Sequence, residues 1–519
     1  MRLTIQLACK VVAGTGFLLL ATFGPGACTY VPFDAPRNEV EPERPSLHSN
    51  VSHRIDRDVA RAGGRSGFIP LLDGNDALGA RLSMIEAAEQ RIDIQSFLIK
   101  PDKAGSLVSL ALLDAAERGV AVRLLVDDVF STASDEQLAL LASSPRIDVR
   151  LFNPLSRRSP AAMNYMLDFG RVNRRMHNKA FIVDRSMAIV GGRNIADEYF
   201  RIDTETEFSD FDVFVAGPVV SEIDEAFELY WNDRWSVPVK ALTRRGDGAA
   251  PAEVKRALEI HAETAAAGIY QHAVGSSYLE RIRSGRVAAK FGHAYAVTDD
   301  PSKLKVPVRD GERLLAEMLF GQIATARSQV TILTPYFVPE DWGADLLIDA
   351  ARRGVRVRVV TNSLAATNHP YVHGGYMRHR KDLLAAGVEL YEVRADAPEV
   401  LGAAPPGEGE HLTMHTKLAI IDDRTSFIGS LNFDPRSIKL NSEFGVFVDS
   451  REIASAFLRE IDEDLRKYTF KLRLEPDGGL LWVYQNRDRP EVFAQEPGAG
   501  LVRKATARLT AFLPVEGQL

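Results

Sequence analysis

Two stretches of nine residues carry side chains whose types and spacing suit chemistry. They are Met176-His177-Asn178-Lys179-Ala180-Phe181-Ile182-Val183-Asp184 and Met414-His415-Thr416-Lys417-Leu418-Ala419-Ile420-Ile421-Asp422. Both read His-x-Lys-x4-Asp, and both run into an apolar, β-branched segment of the kind that forms a buried strand. The agreement extends downstream, with Gly191 and Asn194 at the same offsets from His177 as Gly429 and Asn432 from His415. Residues i and i+2 of a strand face one side, so each histidine projects with its lysine. Two such surfaces facing each other place two imidazoles and two ammonium groups around one pocket, which suits a phosphate diester.

A diester yields to attack when its anionic oxygens are neutralised and its leaving alkoxide is protonated. Lys179 and Lys417 supply the positive charge, and Asn194 and Asn432 supply directional hydrogen bonds to the same oxygens. Ser430 offers a further phosphate contact that its counterpart Gly192 cannot make. Such a set requires no metal or other cofactor, and no spacing in the chain suggests one. Asp184 and Asp422, the third members of the catalytic motifs, fall on the opposite strand face. They are expected to fix the strand–turn–strand geometry rather than to touch substrate.

The elements that must position these groups are legible from periodicity. Folding is expected to begin near Phe68, with helix over 76–90, strand over 92–98, helix over 107–118 closed by Gly119, and a strong strand over 120–127. The second half replays this: helix over 310–327, strand over 330–338, helix over 346–353 closed by Gly354, and strand over 355–361. Residues 115–123 and 350–358 nearly superimpose in sequence, as do 209–215 and 442–448. A duplication on this scale implies two tandem α/β/α sandwich domains related by a pseudo-twofold, each supplying half a site. The expected boundaries are 67–235 and 306–470, with a helical insert over 236–305 and a C-terminal extension over 471–519. His261, His272 and His293 of the insert show no metal-ligand pattern.

The chain has 519 residues, 63 Lys+Arg against 70 Asp+Glu, a formal charge of -7 and two cysteines, Cys9 and Cys28. The acidic balance argues against nucleic acid as partner, and the cysteine count excludes a disulfide framework or cysteine zinc site in the body of the protein. Residues 1–28 read as a secretory or lipoprotein signal or an uncleaved anchor: Arg2 and Lys10, an apolar run from Val11 to Phe23, then Gly26-Ala27-Cys28, with Cys28 a lipidation candidate. That places the protein in a bacterial cell envelope, at the membrane and on its periplasmic side. Residues 29–66, polar and with several prolines, read as a flexible tether.

The paired motifs with their Gly-x2-Asn followers resemble the phospholipase D superfamily. Asn173-Arg174-Arg175-Met176-His177-Asn178-Lys179, Gly191-Gly192-Arg193-Asn194-Ile195, Thr361-Asn362-Ser363-Leu364-Ala365-Ala366-Thr367 and Gly429-Ser430-Leu431-Asn432-Phe433-Asp434-Pro435-Arg436-Ser437 are similar to the C-type bacterial cardiolipin synthases. The tail Leu513-Pro514-Val515-Glu516-Gly517 belongs with them. The resemblance implies that one imidazole forms a covalent phosphohistidine while the other protonates the departing alcohol and then deprotonates the incoming one. It gives the nucleophile role to His177 and the acid/base role to His415. It also implies a carboxylate on the second ring nitrogen: Glu443, 28 residues after His415, holds the family's position, and Asp210 is the aligned candidate for His177, displaced by five residues.

The implied substrates are phospholipids, with phosphatidylglycerol as acceptor and a second phosphatidylglycerol or phosphatidylethanolamine as phosphatidyl donor. Water as acceptor would make a hydrolytic phospholipase D. A phosphodiesterase or nuclease, and a non-catalytic lipid-binding scaffold, are the more distant alternatives; any accessory protein is unspecified. The loop 362–376, with His369, Tyr371 and His373, follows a strand end and would serve either to cover the site or as a structural connection. The segment Leu501–Leu513, mixing Arg503, Lys504 and Arg508 with apolar residues, would suit either an anionic membrane surface or packing on the second domain.

Overall fold

Among the described residues the first half holds nine strands, β1 (Ser66–Leu71), β2 (Arg91–Ser96), β3 (Ala121–Asp127), β4 (Ile147–Phe152), β5 (Ala180–Val183), β6 (Met187–Gly191), β7 (Thr206–Ser209), β8 (Asp212–Ala216) and β9 (Ser236–Pro238). All except β7 form one sheet in the order β1-β8-β6-β5-β2-β3-β4-β9. Only the neighbours among β2, β3 and β4 are parallel. Every residue of β3 is buried, as expected of a strand covered on both faces, and the charged Asp93, Arg123 and Arg150 that interrupt these strands are buried too. The coordinates are a computed structural model that describes residues 29–43, 50–128, 135–202, 206–242, 251–400, 411–485, 490–513 and 517.

The second half repeats the pattern with β10 (Lys290–Thr298), β11 (Gln329–Leu333), β12 (Arg356–Asn362), β13 (Glu389–Val393), β14 (His411–Met414), β15 (Leu418–Ile421), β16 (Thr425–Gly429) and β17 (Phe444–Asp449). The order β10-β17-β16-β15-β11-β12-β13 matches that of the first half, with β10 in the place of β1. Since β10 also pairs with β1, the two sheets join edge to edge. Outer helices, including Gly74–Ala87 and Lys103–Glu117, cover one face of the first sheet. Between the sheets lies a core shared by both halves, where Phe227 and Trp231 meet the same cluster as Met414 and Phe457. That shared layer locks the two motifs against each other.

Three expected boundaries are corrected. The second domain begins at β10 rather than at 306; its alternation was weak because His293 and Tyr295 on one face remain exposed. The C-terminal extension is not a separate appendage. β18 (Thr469–Leu474), β19 (Leu480–Tyr484) and β20 (Glu491–Phe493) prolong the second sheet, and the helix Leu501–Phe512 packs on the helix Pro370–Ala385. The described part of the tether is docked, with Val31 and Ala35 buried, Arg37 donating to the Arg234 and Ser236 carbonyls, and a helix over Asn50–Arg61. The signal segment with Cys9 and Cys28, and residues 514–516 of the tail, lie outside the described residues. Among the described residues, no helix is long and apolar enough to cross a membrane. The insert holds helices Pro251–Val274 and Ser277–Arg283.

Candidate active site

Each motif runs along the first strand of one hairpin, β5–β6 or β15–β16, and ends in the tight turn that joins its two strands. Asp184 and Arg185 have φ of 50° and 53°, and Asp422 and Asp423 both have 53°. Aspartate tolerates this left-handed backbone better than most side chains do. Each carboxylate then caps the chain entering the neighbouring strand. Asp184 accepts the N–H groups of Glu89, Gln90 and Arg91 at 2.8–3.0 Å, and Asp422 accepts those of Arg327, Ser328 and Gln329. Both sit at the end of the strand remote from the histidine. These contacts hold each hairpin to the sheet, and the two carboxylates do not face the reacting groups.

The histidines are positioned from across the molecule. His177 N–H donates to the Ser442 carbonyl at 2.9 Å and His415 N–H to the Ser209 carbonyl at 2.7 Å. The second contact continues a parallel pairing of β7 with β14, and a Met176–Ser442 bridge supplies the first. The residue before each histidine is fixed from its own half, where Met176 N–H binds Asp127 and Met414 N–H binds Asn362 at 3.0 and 2.8 Å. Asp127 and Asn362 end β3 and β12. Sequence reasoning did not single out Asp127, although the aligned ends of those strands carried the signal.

Because the backbones cross, the carboxylates are exchanged. His177 Nδ1 lies 2.9 Å from Glu443, and His415 Nδ1 lies 2.6 Å from Asp210. The expected pairing within each half, Asp210 with His177 and Glu443 with His415, is corrected. Ser209 and Ser442 carry the neighbouring carboxylate over to the opposite histidine, so neither half is complete alone. Ser430 is corrected as well, because its hydroxyl donates to Glu443 at 2.5 Å, which makes it a positioning group for that carboxylate. At Gly192 a Cβ would lie 2.2 Å from the Asp210 carboxylate, so the glycine makes room for it. Asn194 donates to the Tyr199 hydroxyl at 2.8 Å, and both Asn194 and Asn432 are buried.

All four cationic or potentially cationic groups are sequestered from water. Burial and the neighbouring ammonium push Lys179 down to about 7, and burial pushes Lys417 down to about 8 against the pull of Asp210 and Glu443. Burial and both lysines depress His177 well below its ordinary value. Burial and Lys417 push His415 down to about 3 despite Asp210. Glu443 rises to about 7 through burial, whereas Asp210 stays below the usual carboxylate range because Lys417 and His415 outweigh its burial. Without an anion the site thus holds neutral imidazoles and two reluctant lysines, a charge arrangement that a bound phosphodiester would relieve.

Aromatic rings wall the imidazoles: Phe97 edge-on to His177, Phe208 stacked on His415, and Tyr199 edge-on to His415. Of the loop 362–376, Asn362 braces the backbone before His415 through Met414. His369 lies between Tyr336 and Tyr371. His373 turns away into a buried group with Arg380, Glu392 and Glu496. Arg380 pairs with both carboxylates there, so the centre of that cluster holds a guanidinium. A cavity of about 360 Å³ lies behind β15, lined by Met414, Thr416 and Leu418 on the face opposite His415 and Lys417.

A family model described as "Cardiolipin synthase, PLD-like domain" matches residues 82–231 and 319–465, which contain both motifs. Cardiolipin synthase C of Escherichia coli (strain K12) is 36% identical over 455 residues, covering 87% of this chain and 96% of the relative. An uncharacterised protein of Helicobacter pylori (strain ATCC 700392 / 26695) is 30% identical over 434 residues, 82% of each chain. The solved phosphatidylserine synthase of Haemophilus influenzae Rd KW20 shares the fold at a TM-score of 0.55 and 13% identity, covering 91% of this chain and all of that one.

Proposed function

The chain belongs to the phospholipase D-like family of the cardiolipin synthases and is a phosphatidyltransferase of that type, and we propose that it makes cardiolipin. In this reading a phosphatidyl group passes from one phospholipid to phosphatidylglycerol through a covalent phosphohistidine. The observation that carries it is the crossed pair of buried His–carboxylate couples beside two lysines, which provides a nucleophile, a proton shuttle and anion neutralisation in one place.

The couples suit different roles. Once the phosphodiester is bound, its negative charge adds to that of the ionised Asp210, and together they favour the imidazolium form of His415 that protonates the leaving alkoxide. Glu443 is drawn toward neutrality and already accepts the Ser430 hydroxyl. Accepting Nδ1–H, it leaves His177 neutral with Nε2 free to attack phosphorus. The phosphorus–oxygen bond to the leaving alcohol then breaks, and His415 supplies its proton. In the second step His415 takes the proton of the incoming hydroxyl, and the new oxygen displaces Nε2. Lys179 and Lys417 neutralise the phosphate oxygens, while Asn194 and Asn432 orient them. The N-terminal signal reading, if extended to this activity, sets the reaction on the periplasmic face.

The test is product analysis with purified protein in vesicles of phosphatidylglycerol and phosphatidylethanolamine, with His177→Ala beside it. Cardiolipin formed only by the intact protein is the expected result, and head-group labelling identifies the donor. Phosphatidic acid as sole product would establish a hydrolase instead.

A further inference from the structure

The helix Ala161–Leu167 is inside out. Six of its seven residues are exposed, and the single buried one is Asn164. Met163, Tyr165, Met166 and Leu167 face solvent together with Phe169 just beyond, Met166 being 81% exposed. A surface helix ordinarily turns its apolar stripe inward. Here Asn164 holds the reversed orientation: it accepts the Ser156 N–H at 2.8 Å and donates to the Ser156 and Pro160 carbonyls. The end of the segment is tied down too, with Arg171 bonded to Asp168 and to the Asn153 side chain at 2.6 and 2.7 Å. The apolar face is therefore built outward.

A second segment shares these properties. On the helix Leu501–Phe512, Leu501, Val502, Leu509 and Phe512 are exposed, Phe512 at 87%. Its other side meets the helix Pro370–Ala385 at Gly374, where a Cβ would lie 2.2 Å from Thr510. More than half of the exposed large apolar side chains among the described residues fall in 163–169 and 501–513. Across 154–169 and 501–513 the single carboxylate side chain is Asp168, which is paired with Arg171, while Arg158, Lys504 and Arg508 lie among the apolar groups. The first segment leads to Asn173, which Arg436 binds at 3.0 Å, just ahead of the His177 motif. The charge of Arg436 reaches His177, Tyr165 and Tyr371, and Arg503 binds the Thr367 carbonyl at 2.6 Å in the loop leading to Tyr371.

We infer that residues 161–169, assisted by the helix 501–512, insert into the acyl boundary of an anionic phospholipid bilayer and bring the catalytic pocket onto its substrate. This rests on the phospholipid reading above, which supplies the occupant. Apolar side chains penetrate the interface and basic ones meet the anionic head groups, the arrangement that interfacial helices use.

The experiment uses the full chain with Met166→Trp, and Leu229→Trp as a control at another exposed apolar position. On vesicles of phosphatidylglycerol and phosphatidylethanolamine, emission above the native tryptophan background should shift to the blue for Met166→Trp alone. Lipids brominated near the head of the acyl chain should quench it. The double variant Met166→Asp/Phe169→Asp should lower turnover on vesicles at least tenfold while leaving hydrolysis of soluble bis(p-nitrophenyl) phosphate unchanged. An unquenched Met166→Trp on vesicles that sediment with the protein would overturn the inference, as would equal losses on vesicle and soluble substrates. So would self-association of the lipid-free protein that Met166→Asp abolishes while vesicle turnover persists. Wild-type protein inert on both substrates yet quenched at Met166→Trp would remove the synthase reading and retain the membrane-contact surface.

Discussion

Around His415 the carboxylate is the shorter one, Asp210, kept ionised and given space by Gly192. Around His177 it is the longer Glu443, pushed toward neutrality and held by Ser430. Two halves that share strand order, hairpin turns and aspartate caps have therefore diverged where the proton inventory is decided. Duplication accounts for the scaffold. The asymmetry between the couples comes from one methylene in the carboxylate and from one hydroxyl, Ser430, that only the Glu443–His177 couple has.

The largest effects should come from the histidines. His177→Ala and His415→Ala should each lower turnover on phospholipid by at least ~10³-fold, since each removes a whole catalytic function. The comparison sharpens with a donor whose leaving group needs no proton. On an activated nitrophenyl diester, His415→Ala should still release one equivalent of nitrophenol and retain label on the protein, whereas His177→Ala should do neither. The reverse pattern would exchange the two roles.

Next come the crossed carboxylates. Asp210→Asn and Glu443→Gln should each cost roughly 10²-fold, an acid–base and orienting contribution. If the crossing holds, activated donors should rescue Asp210→Asn, which disables the acid at His415, and should not rescue Glu443→Gln. Rescue of Glu443→Gln instead would restore the pairing within each half. A smaller asymmetry is expected beside them. Gly192→Ser places atoms where Asp210 sits and should cost on the order of tenfold, while Ser430→Ala, losing one hydrogen bond, should cost only about threefold to tenfold.

Stability should move in opposite directions at the lysines and the turn aspartates. With folded values near 7 and 8, Lys179 and Lys417 bind fewer protons in the folded state than in the unfolded one from about pH 7 up to the ordinary lysine value. Stability of the empty protein therefore rises with pH across that window, and the cost of the buried charge is fully present below it. Lys179→Met should accordingly raise Tm at pH 6 while abolishing turnover, with the gain fading toward pH 10; thermal melts across pH check this. Asp422→Ala and Asp184→Ala should each cost about 1–3 kcal/mol by freeing backbone N–H groups, measured by denaturant unfolding. Activity per folded molecule should be nearly unchanged.

The duplication, the α/β class, the strand–helix–strand run through β11 and β12, and the eight motif side chains that gather at or brace the site were legible in the residue order. Period-2 and period-3.6 patterns and matched offsets are local properties that survive in one dimension. The structural role of Asp184 and Asp422 was legible for the same reason, from the parity of a strand. The start of the second domain at β10 was not, because a strand with one wet face and small alternating residues leaves a weak pattern. The docked path of residues 29–43 depends on a few apolar anchors in a polar stretch.

Which carboxylate serves which histidine could not be read from spacing at all. Glu443 lies 28 residues from His415 in sequence, yet it bonds to His177, 266 residues away, because β7 pairs with β14 and Ser442 with the first motif across the interface. Sequence order determined the chemical groups, two of each kind. The hydrogen bonds between the two halves, which exist only after the halves pack, decided the couples those groups form.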